Sequence, residues 1–245
     1  MVDIHSHILN NIDDGSKSID ESIEILKKYE KINITDVVLT PHYIFQGNYQ
    51  IENKEKKELF ERLYERVKKE KININLYLGN EVYSSANIID LLKEDKISSI
   101  NNSKYILIEF PIYVEDKQSY NIIHNIVLSG YIPIIAHPER YKYVRKDFSI
   151  LNKYIELGAL LQINKDSLFG KYGKDAKKIV KKIIKKRMAT CVGTDIHSIK
   201  RKIYCTKKLK RKIKKLSNKK YCNDILNNNS LKIINDENIT DFIIK

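Results

Sequence analysis

The feature that most restricts the fold of this chain is a sevenfold alternation. Seven short apolar runs that read as strands are each followed by a stretch whose apolar residues recur at helical spacing. The runs are Val2 to His5, Thr35 to Thr40, Asn75 to Gly79, Lys104 to Phe110, Ile132 to Ala136, Leu160 to Asn164 and Met188 to Gly193. Val37, Val38, Ile106, Ile108, Ile134 and Ile135 supply the β-branched content expected of strands buried on both faces. Strands that each feed a helix run parallel, because the helix carries the chain back to the starting edge. A length of 245 residues fits one large barrel or two small domains. No linker and no short repeat divides the chain, so the pattern predicts an α/β fold, a (β/α)7 barrel with its active site at the carboxyl ends of the strands.

Helices fill the gaps. Ser18 with Glu21 has the spacing of a capping box before Ile23, Ile25 and Leu26. Glu52 to Lys71 carries an apolar stripe at Leu59, Leu63 and Val67. Helices from about Asp116 and about Asp147 are expected to stop at Gly130 and Gly158, and Lys174 to Lys186 sets Ile179 and Ile183 against a basic face. After Tyr204 the pattern is helical but less orderly, and the last thirty residues have no clear assignment.

Polar residues of one chemical kind recur where these strands give out. His5, His7, His42, His137 and His197, with Glu81, Glu109 and Asp195, all fall at or just beyond strand ends. Imidazole and carboxylate are the ligands that hard to borderline divalent metals choose. Singly each has an ordinary explanation. His5-Ser6-His7 is a pattern that chance produces, Asp13-Asp14-Gly15 is common turn material, and His42 after Pro41 suits a loop. Glu109 carries more weight, since an acid ending the run from Tyr105 is costly to bury unpaired. Together they occupy six of seven strand ends, which points to one metal cluster and a metal-dependent hydrolase. The sixth strand, ending at Asn164, offers no strong ligand, and His124 within a helix stands outside the pattern.

Composition narrows the class. Hydrophobic residues make up 42% of the chain, enough for a proper core. Cys191, Cys205 and Cys222 form no C-x-x-C pair, which suggests a reducing compartment. Cys205 and Arg211 match the bare C-x5-R spacing of cysteine phosphatases, but the five residues between them lack glycine and read as helix. The first strand leaves no room for a signal peptide, and no apolar stretch approaches a membrane span, so the chain is expected to be cytoplasmic. The formal charge of +14 is concentrated: Lys174 to Lys220 holds twenty Lys/Arg against Asp175 and Asp195. That segment is either a set of solvated helix faces or a surface for anionic substrates, an acidic partner or an anionic membrane leaflet.

Taken in order, Asp3-Ile4-His5-Ser6-His7, Asp13-Asp14-Gly15, Thr40-Pro41-His42-Tyr43, Gly79-Asn80-Glu81, Glu109-Phe110-Pro111, His137-Pro138-Glu139-Arg140-Tyr141 and Thr194-Asp195-Ile196-His197 resemble the polymerase-and-histidinol-phosphatase (PHP) superfamily. More narrowly they resemble its bacterial protein-tyrosine phosphatases of the CpsB/YwqE type, from the first residue to about Arg201. The resemblance implies a distorted (β/α)7 barrel over 1–245, with a basic helical part from about 200, and a centre of three divalent ions. Manganese is the family's usual metal, with iron, zinc or magnesium as alternatives. It implies one ion on His5, His7, Glu81 and Asp195, a second on Glu81, Glu109 and His137, and a third on Asp14, His42 and His197. Arg140 is implied to grip the phosphoryl group, and a second cation, either Arg201 or Lys202, to complete that site. Asn10-Asn11 departs from the family's Pro-Gly in the first loop.

The implied reaction is hydrolysis of phosphotyrosine by a hydroxide that bridges the ions, with aryl phosphates preferred over alkyl ones. The implied substrate is a phosphotyrosine protein, the tail of a bacterial tyrosine kinase controlling capsule or exopolysaccharide synthesis. A small-phosphomonoester phosphatase acting on histidinol phosphate is the nearest alternative. A basic nucleic-acid-binding protein with an unused metal site is the alternative of another class. No specific nucleic acid is expected, for the basic segment has no Gly-rich or aromatic-interleaved recognition motif.

Overall fold

Among the described residues every strand pairing is parallel, and the strands make seven staves of a curled sheet. The computed structural model describes residues 1–239. Among them the strands are β1 (Val2–Ser6), β2 (Asp36–Leu39), β3 (His42–Tyr43), β4 (Asn75–Leu78), β5 (Glu81–Tyr83), β6 (Tyr105–Glu109), β7 (Ile132–Ala136), β8 (Leu160–Asn164) and β9 (Cys191–Gly193). Hydrogen bonding divides them into β1-β2-β4 and β3-β5-β6-β7-β8-β9.

Two staves are broken yet stay in register. Leu39 pairs with Leu78 and His42 with Glu81, the same offset on both sides of the break. Gly79 N donates to Leu39 O (2.9 Å) and Glu81 N to Pro41 O (3.0 Å), so the ladder bends without slipping. Pro41 has no N–H to give the ladder, which accounts for the interruption there. Ending these staves at Thr40 and Gly79 therefore stops short: His42 and Glu81 sit on strand continuations, not in loops. A fully buried lysine secures the bend. Lys56, from the helix Asn53–Lys69, donates to Gly79 O (3.3 Å), to Ser98 Oγ (2.6 Å) and to Asn80 Oδ1. Asn80 Nδ2 in turn donates to Pro41 O (3.2 Å) and ties the two breaks together.

β1 is irregular in another way. Asp3 to Ser6 on β1 spans the same stretch of ladder as Val37 to Leu39 on β2, so β1 carries one extra residue. Such a bulge turns the strand and re-aims a side chain. Ile4 joins the apolar cluster with Val38, Leu107, Ile134 and Cys191, while the next residue, His5, meets Glu81 and Gln162. The first and last staves then meet: Asp195 N donates to His5 O and His7 N to Ile196 O, both 2.9 Å. Gly193 permits that approach, because a Cβ there would lie 2.6 Å from His5 Cβ.

A second, larger apolar cluster packs the outer faces of the staves against the helices. Ile233 and Ile234, from the last helix Asn229–Ile234, join the inner cluster, and Tyr105 Oη donates to Glu237 O (2.7 Å). The stretch after Tyr204 is helical as its pattern suggests, over Thr206–Leu216, and the unassigned part beyond it folds as Lys219–Asn223 and Asn229–Ile234, joined by a π-helical turn at Asp224–Asn228. Gly130 and Gly158 are left-handed and end their helices as expected. The helices themselves start later, at Ser119 and Ser149. The carboxylates of Asp116 and Asp147 accept from the N–H two residues on, forming Asx turns before the helix begins. No helix among the described residues is long and apolar enough to cross a membrane.

Candidate metal centre

The carboxyl mouth of the sheet gathers the side chains that the strand ends deliver. Four overlapping groups have their ligand atoms within 4.8 Å of one another: His7, Asp14, His42 and His197; His5, His7 and Glu81; His5, His137 and Asp195; and His42, Glu81 and Glu109. All nine metal-type residues singled out from the sequence meet here. His124 does not; it is exposed on the helix Ser119–Leu128.

Glu81 is the hub. Its Oε2 lies 3.1 Å from His5 Nε2, His7 Nε2 and His42 Nδ1, and its Oε1 lies 3.1 Å from His137 Nε2. Glu109 Oε1 is 3.5 Å from His137 Nε2, and Asp195 Oδ1 is 3.6 Å from His7 Nε2 and 3.8 Å from His5 Nε2. Asp14 Oδ1 stands 3.4 Å from His197 Nε2 and 3.6 Å from His42 Nε2.

Hydrogen bonds behind the rings decide what the front nitrogens can do. His5 Nδ1 faces Gln162 Oε1 (2.9 Å), His7 Nδ1 faces Asp13 Oδ2 (2.7 Å), and His197 Nδ1 faces the Asp195 carbonyl (3.0 Å). Each partner only accepts, so each Nδ1 carries a proton, and each ring in its neutral form presents a bare Nε2 to the centre. His5 Nε2 and His7 Nε2 then stand 3.1 Å apart as two lone pairs, with Glu81 Oε2 at 3.1 Å from both. That buried oxygen accepts no hydrogen bond. Three electron-pair donors in such a triangle repel one another unless a cation lies between them. Ligands bound at about 2.0–2.2 Å are spaced by about 3 Å on an octahedral face, so the triangle has the size of a metal's coordination face. The donor set fits divalent ions, and four overlapping groups fit several of them.

The carboxylates call for positive charge at the hub: despite burial, Glu81 and Asp195 raise the His5 imidazole, and Asp13 and Glu81 raise His7 well above its ordinary value, a charge that bound cations would supply in place of protons. Burial, with Glu81 beside it, pushes the Glu109 carboxyl up to about 8. Burial, reinforced by Arg140, holds His137 down to about 4, and burial with His7 holds His197 down to about 3, which keeps both imidazoles neutral as ligands must be. His137 and Asp195 both have left-handed backbones (φ 33° and 53°), a conformation that non-glycine residues hold only where their surroundings enforce it.

Around the ligands lies a shell that the sequence pattern did not reveal. Asp13, read as turn material, orients His7 and also accepts from His42 N (2.9 Å) and Gly15 N (2.8 Å). β8, which offered no ligand, supplies two amides: Gln162 behind His5, and Asn164, whose Nδ2 donates to Asp195 Oδ2 (2.7 Å). The available signal was the alternation in Leu160-Leu161-Gln162-Ile163-Asn164, which places two polar side chains on the inner face of a buried strand. Arg140 does not pair with its neighbour Glu139, which instead accepts from Asn164 N and Ser167 Oγ. Arg140 Nη1 donates to Asp195 Oδ2 (2.8 Å), its guanidinium lies 4.6 Å above the Tyr172 ring, and Tyr172 Oη donates to the same carboxylate oxygen (3.2 Å). Arg201 Nη1 donates to Asp195 O (2.7 Å), whereas Lys202 Nζ lies over the Tyr204 ring at 5.4 Å. Cys205 immediately precedes the helix Thr206–Leu216 on which Arg211 lies, so no phosphate-cradling loop joins the two.

The fold and this polynuclear centre define a metal-dependent hydrolase of the PHP type. The chain belongs to the family described as "Capsular polysaccharide synthesis, CpsB/CapC", whose model matches residues 1–235. It is 39% identical over 209 residues to a putative tyrosine-protein phosphatase CapC from Staphylococcus aureus, covering 85% of this chain and 82% of that one. It is 34% identical over 206 residues to the tyrosine-protein phosphatase YwqE of Bacillus subtilis, covering 84% and 81%. Among solved structures, one from work on YwqE and Streptococcus pneumoniae CpsB, described as metal-dependent tyrosine phosphatases, superposes with a TM-score of 0.91 at 30% identity, over 98% of this chain and 96% of that one. A Lactococcus lactis histidinol phosphate phosphatase shares the fold alone, with a TM-score of 0.58 at 15% identity over 89% and 94% of the two chains.

Proposed function

We propose that this chain is a metal-dependent protein-tyrosine phosphatase acting in the control of capsule or exopolysaccharide synthesis, with 1–245 working as one catalytic unit. The observation that carries the reading is the convergence of nine ligand-type side chains at one mouth, with Arg140 beside them. His5, His7, Glu81 and Asp195 would hold one ion, Glu81, Glu109 and His137 a second, and Asp14, His42 and His197 a third. A mixed imidazole–carboxylate set suits manganese, and iron, zinc or magnesium are the alternatives. Ions bound there supply Lewis acidity, polarising phosphoryl oxygens and lowering the pKa of water towards neutrality.

The chain's own residues orient the substrate. Stacking on Tyr172 and the bond to Asp195 set the Arg140 fork in advance, leaving its other N–H groups for phosphoryl oxygens. The contact of Arg201 with Asp195 O supports Arg201 as the second phosphate-binding cation, in preference to Lys202. Hydrolysis breaks the bond between phosphorus and the phenolic oxygen, and water supplies the replacing oxygen. Tyrosinate, with a pKa of about 10, leaves with less proton donation than a serine alkoxide needs. The substrate class is a phosphotyrosine-bearing protein, the tail of a bacterial tyrosine kinase.

The test is a parallel assay of manganese-loaded protein on a phosphotyrosine peptide, a phosphoserine peptide and histidinol phosphate. Turnover is expected to favour the phosphotyrosine peptide, to stop on chelation and to return with manganese. Preference for histidinol phosphate would overturn the substrate assignment, and a sustained rate in protein shown to be metal-free would overturn the mechanism.

A further inference from the structure

The strongest charge asymmetry of the molecule lies outside the catalytic mouth, on two neighbouring helices. The helix Gly173–Lys185 buries Ala176, Ile179, Val180, Ile183 and Ile184, and its opposite face carries Lys174, Lys177, Lys178, Lys181, Lys182 and Lys185 around one groove. The helix Thr206–Leu216 packs against it, burying Leu209 and Ile213. Lys207, Lys208, Arg211, Lys212 and Lys215 line a second groove there with Phe169.

This charge is not neutralised from within. Asp175 is the single acid on the first helix and faces Arg145 (3.6 Å), and the second helix has none. Among the described residues, none of these eleven cations forms an ion pair with a carboxylate. Eleven like charges on two adjoining helices repel one another, and the repulsion is relieved by dissolved salt or by an anionic surface of similar breadth.

We propose that the adjoining lysine faces of Gly173–Lys185 and Thr206–Leu216 dock on the anionic surface of a lipid bilayer. Lysines are compact charges on flexible stems without the directional fork of arginine, suited to a fluid array of headgroups and poorly suited to fixed partner groups. The stems line grooves of about 440 and 390 Å³, so apolar parts of these side chains lie along the surface, and Lys182 and Lys212 rest over the rings of Phe148 and Phe169. Two helices packed side by side on a barrel cannot enter a duplex groove that admits one helix. The first helix starts beside Tyr172, whose hydroxyl bonds Asp195, so one end of the docked face lies near the metal centre. On the catalytic reading, which this consequence alone rests upon, docking brings the phosphatase to phosphoproteins at the membrane surface.

The test uses the full chain with its metals and a variant in which Lys178, Lys181, Lys185, Lys208 and Lys215 are all changed to Gln. Each of these residues is exposed and outside the centre, so folding and the rate on a small aryl phosphate are expected to stay unchanged. Co-sedimentation is measured with phosphatidylcholine vesicles, with vesicles containing about one third phosphatidylserine, and by competition with duplex DNA and polyglutamate. Binding to the anionic vesicles is expected to exceed that to neutral ones by at least ~100-fold and to weaken sharply with salt. The variant is expected to lose at least ~30-fold of it. Equal binding to both vesicles, no binding to either, retention in the variant, or stronger binding to DNA or polyglutamate would each overturn the proposal. A variant that binds normally yet hydrolyses nothing, or the reverse, separates failure of this surface from failure of the catalytic reading.

Discussion

Lys56 offers a measurement that reads the architecture beneath the centre directly. Its side chain is fully buried, faces three oxygens and has no carboxylate against it. Burial, with Lys57 nearby, lowers its pKa from 10.5 to about 7. Between those values the unfolded chain holds a proton at this position that the folded chain has shed. Stability from this group is therefore lowest at and below about pH 7 and rises as the pH climbs towards 10.5. Integrating the two titrations, the folded state gains about 3 kcal/mol between about pH 7 and 9.5 relative to a side chain that does not titrate. Lys56→Met supplies that reference. Urea unfolding of both proteins across the window, at matched metal concentration, is expected to show wild-type stability gaining by this amount on the variant. Other ionisable groups cancel in the difference. A difference that stays flat would refute the reasoning, and would mean that Gly79 O, Asn80 Oδ1 and Ser98 Oγ hold the ammonium charged despite its burial.

Other consequences can be checked separately. Asp13→Asn weakens the partner that fixes the His7 tautomer, so metal affinity in a chelator competition is expected to fall by about 10–100-fold with little change in fold; unchanged affinity would remove Asp13 from the supporting shell. Gly193→Ala puts a Cβ against His5 Cβ and Gln162 Nε2, and is expected to cost about 1–3 kcal/mol of stability together with metal content; a fully stable, fully loaded variant would contradict the close approach of β1 and β9. Arg201→Gln is expected to raise KM for a phosphotyrosine peptide while Lys202→Gln leaves it unchanged, and equal effects would reverse the choice between them. Exhaustive chelation is expected to abolish turnover and to lower the thermal midpoint, because the ligands repel one another once the cations are gone.

Legibility in the sequence followed physical range. The seven staves were readable because a strand buried on both faces must be apolar along its length, as in Tyr105 to Ile108 and Ile132 to Ala136. The ligand-type side chains were readable as a group because they recur at six of the seven strand ends, and those ends share one sheet edge. What stayed hidden depends on contacts distant in sequence. Nothing local marks Asp13 as the partner of His7, or Gln162 as the partner of His5 across 157 residues. The continuations β3 and β5 were missed because Pro41 and Gly79 are ordinary strand terminators, and only register against a neighbour shows the stave resuming. The closing helices of the tail were obscured because Asn-rich, Lys-rich segments have weak periodicity, and Ile233 and Ile234 gain their role from the interior they meet.

The junction of β1 with β9 has a bearing on how the protein comes to life. His5 and His7 lie far from Asp195 and His197 along the chain, yet all four face the same small volume. A chain lacking the last stave would keep Glu81 beside the two imidazoles but lose the Asp195 carboxylate that faces them. A cation held among these donors would therefore fasten the first stave to the last, and ring closure and metal binding would favour each other.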